Sequence, residues 1–72
     1  MDKMLLRSYI VRFDGNQENL ANAMGISRSC LSAKINEKNG AEFRQKEIEF
    51  ISKRYRLSSD EICNIFFGEK VS

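Results

Sequence analysis

The chain contains no histidine, no proline and no tryptophan, and only two cysteines among 72 residues. Without histidine, and with Cys30 and Cys63 at no motif spacing, there is no donor set for a structural zinc. The same absence weakens any case for an enzyme. No nucleophile–base pair and no glycine-rich phosphate loop can be found, and Glu47/Glu49 and Asp60/Glu61 read as helix-surface or capping acids. No apolar run approaches the roughly 18–20 residues needed to span a bilayer. MDKMLLRSYI lacks the apolar core and cleavage site of a signal peptide, so a cytosolic chain with reduced thiols is expected. Four glycines and no low-complexity tract, with 42% hydrophobic residues, argue for a globular fold over disorder. The length suits one domain, 1–72, with an ordered core over about 4–67 and a marginal interior.

Net charge is also in short supply. Twelve basic and ten acidic residues give a net +2, too little to mark a nucleic-acid binder by itself. Its distribution says more. Between Gly25 and Gly40 stand Arg28, Lys34 and Lys38 against Glu37, while Glu47, Glu49, Asp60 and Glu61 come later. One edge of the domain should be basic.

The most informative stretch is Gln17–Asn36, QENLANAMGISRSCLSAKIN. Leu20, Ala21 and Met24 give a first short helix an apolar stripe. Gly25 ends it where a positive φ is wanted, Ile26 packs in the turn, and Ser27 caps a second helix from Arg28 to about Ile35. Leu31 and Ile35, four apart, dock that helix inward. Arg28, Ser29, Ser32, Ala33 and Lys34 remain outside: small, polar or basic, with no acid. Such a face suits a DNA major groove. Arg28, just past the cap, is the candidate for a bidentate bond to guanine.

Asn16-Gln17-Glu18-Asn19-Leu20-Ala21 followed by Gly25-Ile26-Ser27-Arg28-Ser29 resembles the helix-turn-helix of the Xre-type, lambda-repressor-like family. With EIEFISKRYRLSSDEICNIFF, the chain is most similar to small Cro-like regulators of prophages, over about residues 5–67. The resemblance implies an all-α fold of five helices, with the second and third forming the helix-turn-helix. It implies that Ser29, Ser32 and Ala33 join Arg28 in reading bases, and that Gln17, with Asn16 beside it, meets a backbone phosphate. Lys34, Asn36, Lys38 and Asn39 are weaker phosphate candidates. It also implies an operator in double-stranded DNA, a homodimer that can form on DNA, no cofactor, no membrane and no small-molecule ligand. Arg56, Leu57, Ser58 and Phe67 are the candidate dimer surface. Some positions depart from the family pattern: Asn16 and Asn19 stand where Thr and an acid are usual, Arg44 where Thr often caps the fourth helix, and Lys34 where an apolar residue is common. Lys34 is therefore expected in solvent or on a phosphate. A protein-interaction module on the same fold, of antirepressor or antitoxin type, is the alternative, and a DNA binder without sequence choice is a third.

Elsewhere, residues 1–3 are expected to be loose and Met4–Phe13 to form the first helix, with Leu5, Leu6, Tyr9, Ile10 and Phe13 inward. Asp14-Gly15 breaks it. Asn36–Glu42 reads as a polar loop turning at Asn39-Gly40, and Phe43 as a core plug. A fourth helix spans about Arg44–Arg54 with Ile48, Ile51 and Tyr55 inward, leaving Phe50 off the stripe. Leu57 packs back, and Ser58-Ser59-Asp60-Glu61 is a capping box for a fifth helix with Ile62, Ile65 and Phe66 inward. Gly68 should end that helix, with Glu69–Ser72 a tail. Cys30 reads as a small filler beside the reading face and Cys63 as partly buried.

Overall fold

A computed structural model describes residues 1–67. Its order is α1 (Lys3–Asp14), α2 (Gln17–Met24), α3 (Arg28–Asn36), a short 3-10 turn (Lys38–Gly40), α4 (Gln45–Tyr55) and α5 (Ser59–Phe66), with no strand among the described residues. No helix among them is long and apolar enough to cross a membrane.

Each helix starts where a side chain can take an otherwise free backbone N–H. Asp2 accepts from Leu5 N–H at 3.1 Å, Asn16 from Asn19 N–H at 2.8 Å and Ser27 from Cys30 N–H at 3.0 Å. Arg44 caps nothing with its own side chain, but its N–H donates to Glu47 Oε1 at 2.8 Å. Ser58 and Glu61 close a reciprocal box at 2.8 and 3.2 Å. Gly25 ends α2 at φ +77°, while Ile26 N–H reaches back to Ala21 carbonyl at 3.0 Å.

The core is assembled from one stripe of each helix: Leu6 and Ile10, Leu20 and Ala21, Leu31 and Ile35, Ile48, Ile51 and Tyr55, then Ile65 and Phe66. Full burial of each Leu or Ile is worth about 1.5–3 kcal/mol relative to exposure. Phe43 stands half-buried against Phe66 with the rings edge-on at 5.6 Å. Ile26, Leu57 and Ile62 pack half-buried against the same core.

Three expectations need correction. The amino end is not loose: Asp2 caps α1, its N–H donates to Ile65 carbonyl at 2.8 Å, and Met1 packs on the core. Phe13 is not interior. It is 50% exposed: it shares the stripe of Leu6 and Ile10 but stands in the last turn of α1, beyond the buried residues of that helix. There it stacks on Tyr55 at 5.0 Å. Cys63 is exposed, since α5 turns Ile62, Ile65 and Phe66 inward. The expected stop at Gly68 and the tail Glu69–Ser72 lie outside the described residues.

Two polar links tie α1 to the second half of the chain. Arg54 grips Asp14 through Nη2 at 2.6 Å and Nε at 3.2 Å, and the Tyr55 hydroxyl donates to the same carboxylate. The Arg54 bond holds the Asp14 carboxyl below its usual range, with Tyr55 helping against partial burial. Burial, and then the bond to Asp14, push the Tyr55 phenol upward. At the other end, Tyr9 donates to Glu61 Oε2 at 2.8 Å. Glu61 is lowered first by the Ser58 N–H and then by Tyr9, and Tyr9 is raised by the same bond.

Candidate functional site

Leu31 and Ile35, both fully buried, fix the rotation of α3 about its axis. Ser29 and Ala33 then fall opposite that pair and Ser32 on its flank, while Arg28, a turn before Leu31, is exposed as the first residue of α3. These four residues and Lys38 line one open depression of about 400 Å³. Arg28 and Ser29 are exposed, and Ser32 and Ala33 half-buried. No carboxylate is in the lining. The α3 N-terminus, capped by Ser27 and preceded by the Gly25 turn, carries the arginine at its outer edge. The structure thus brings all four expected base-reading residues onto one surface.

The expected phosphate contacts divide. Lys38 and Asn39 are exposed on the 3-10 turn, and Lys38 borders the depression itself. Gln17 is the first residue of α2 and half-buried, while the Asn16 side-chain oxygen is spent on the cap. Lys34 departs from expectation. Its Nζ lies 3.2 Å from Glu47 Oε1 and donates to Glu42 carbonyl at 3.4 Å, with the side chain only 13% exposed. The position that the family pattern gives to an apolar residue therefore stays inward, and the ammonium found a carboxylate on α4. Asn36 is engaged too, accepting from Arg7 Nη2 at 3.0 Å and donating to Ser32 carbonyl at 3.0 Å.

Sequence reasoning passed over Arg7, 29 residues from its partner Asn36, and nothing local to either residue signals the link. Of the four surface residues assigned to self-association, Phe67 is 58% exposed. Arg56 and Ser58 are exposed and Leu57 half-buried. The Ser58 hydroxyl is already committed to its cap. Cys30 is exposed at the edge of α3 rather than filling a gap.

The chain matches no protein-family model, no curated protein and no solved structure at a significant level.

Proposed function

We propose that this chain binds double-stranded DNA in a sequence-specific way and regulates transcription, as a small Cro-like repressor with a lambda-repressor-like helix-turn-helix formed by α2 and α3. The observation that carries the reading is the shared depression over Arg28, Ser29, Ser32, Ala33 and Lys38, basic at its rim and free of acids. In this reading α3 enters the major groove, and Arg28 pairs with guanine O6 and N7. Lys38 and Asn39 meet phosphate from the following turn, and Gln17 from the N-terminus of α2, where the helix dipole favours an anion. Occupying the operator excludes polymerase or a competing regulator, with no cofactor and no catalytic step. Two copies, joined across Arg56, Leu57, Ser58 and Phe67, would present their α3 helices about one DNA turn apart to a near-palindrome, in a bacterial cytoplasm.

A second reading draws support from exposed Phe13, Phe50 and Phe67, large apolar side chains that would suit a protein partner. Selection from a random duplex library at about 150 mM salt separates the two, because that salt suppresses nonspecific phosphate binding. An enriched inverted repeat supports the dimeric regulator, and a single enriched half-site supports a monomeric one. No enrichment by the folded protein refutes the DNA reading and favours the interaction module.

A further inference from the structure

We infer that Ser32 reads DNA as a hydrogen-bond donor, and that Asn36, held by Arg7, is the positioning residue that gives it this polarity. The inference deepens the DNA reading and rests on it.

A serine hydroxyl is ordinarily ambivalent: it can donate to a base acceptor or accept from a base amino group. Asn36 biases the choice: its amide engages one of the two Oγ lone pairs and so satisfies the oxygen, while the hydroxyl proton is left without a partner among the described residues. Its amide orientation follows from its neighbours. Arg7 Nη2 can only donate, and it lies 3.0 Å from Asn36 Oδ1. The Ser32 carbonyl can only accept, and it lies 3.0 Å from Asn36 Nδ2. The same Nδ2 stands 3.3 Å from Ser32 Oγ, which must therefore accept. The hydroxyl proton is turned away from the amide and needs another acceptor.

Helical serines commonly give that proton to a carbonyl one turn back. Ser52 donates to Ile48 carbonyl at 2.6 Å, and Ser8 to Leu5 carbonyl at 2.7 Å. Ser32 makes no such bond among the described residues. Its hydroxyl belongs to a half-buried residue that lines the depression beside Arg28 and Lys38. The proton is left for a partner outside the chain.

In the major groove a donor is satisfied by guanine O6 or N7 or by thymine O4, and it opposes the cytosine amino group. Adenine offers N7 but opposes with N6. At the base position Ser32 reads, guanine or thymine should therefore be preferred to cytosine by about five-fold, the worth of one hydroxyl hydrogen bond, with adenine between.

The test begins with the site that the wild-type protein enriches from random duplexes. Equilibrium binding is then measured on duplexes carrying each of the four bases at every position, for wild type, Ser32→Ala, Asn36→Asp and Asn36→Ala. Thermal melting by circular dichroism establishes that each variant is folded. Ser32→Ala should flatten the preference at one position. Asn36→Asp presents a carboxylate that only accepts: it gives up the bond to the Ser32 carbonyl, keeps Arg7 as an ion pair and takes the Ser32 proton, leaving the lone pairs of Oγ outward. At the position that Ser32→Ala flattens, cytosine and adenine should then gain about five-fold over guanine and thymine. Should Asn36→Asp not fold, Asn36→Ala decides, since it frees the hydroxyl and should bring that position close to indifference. A wild-type site whose preferences survive Ser32→Ala, or survive the folded Asn36 variants at the Ser32 position, overturns the inference while leaving the DNA reading intact. A folded wild-type protein that selects no site refutes the DNA reading, and this inference with it.

Discussion

Replacing Asp14 by Ala removes the acceptor for Arg54 and for the Tyr55 hydroxyl at once. The two losses are unequal. The Arg54 side chain is 38% exposed, so water can replace its partner and the pair is worth about 0–1 kcal/mol. Tyr55 is buried, and leaving its hydroxyl without an acceptor costs about 1–3 kcal/mol. Asp14→Ala should therefore destabilise by about 1–4 kcal/mol, centred on about 2.5, a large part of the roughly 4–11 kcal/mol available to a domain of this size. The melting temperature should fall by about 10–20 °C, read by circular dichroism. The diagnostic variant is Asp14→Ala/Tyr55→Phe. If the stranded hydroxyl is the cause, deleting it restores stability, and the double variant melts above Asp14→Ala alone. Equal melting of the two, or a loss below about 0.5 kcal/mol for Asp14→Ala, refutes the reasoning. Acid titration gives an independent check. Asp14 has a depressed folded-state pKa, so its contribution is complete above the unfolded carboxylate value near ~3.9 and is lost as pH falls through the lower folded value. The acid limb of the stability curve should flatten in Asp14→Ala.

Arg28→Ala should weaken the selected duplex by about 1–3 kcal/mol and leave random duplex nearly unaffected; equal losses on both would make Arg28 a phosphate contact. Lys38→Ala should lower the salt slope of binding by about one, whereas Lys34→Ala, whose ammonium is paired with Glu47, should leave the slope nearly unchanged. Gly25→Ala should cost about 1–2 kcal/mol in a denaturant titration, through backbone conformation alone, because a methyl group there meets nothing within 4 Å while φ stays at +77°. Phe67→Asp should melt as wild type yet lose cooperative binding to paired half-sites; unchanged cooperativity and self-association by analytical ultracentrifugation would remove Phe67 from the interface.

What could be read in the sequence was governed by range. The α2–turn–α3 unit was legible because each of its determinants lies within a turn of what it acts on: Gly25 on the end of α2, Ser27 on the N–H of Cys30, Leu31 on Ile35. The Ser58–Glu61 box was legible for the same reason. Asp2 offered such a local signal too, three residues before Leu5. The links that the pattern did not disclose are distant pairs: Asp14 with Arg54 and Tyr55, Tyr9 with Glu61, Arg7 with Asn36. Periodicity gives the direction a side chain faces but not how far along the helix the core extends, and so it predicts Phe13 inside. Lys34 shows the converse limit. Its place on α3 was legible, but its state depends on a carboxylate that α4 brings to it. Within the candidate site Ser29, Ser32 and Ala33 followed from the buried pair behind them and Arg28 from its place at the start of α3, while the engagement of Lys34 and Asn36 did not.

The bond from Asp2 N–H to Ile65 carbonyl makes the backbone close to a ring. Closing so long a loop is less demanding than it sounds, since the entropy lost grows only as the logarithm of its length. The order in which the helices follow one another is then almost a matter of where the ring is cut. The Lys38–Gly40 turn buries no residue and lies between two capped helices, so it is the natural place for a different cut. A circularly permuted chain, opened there and joined by a short linker that retains Met1 and Phe66, would carry its reading helix near the carboxyl end and keep the same core.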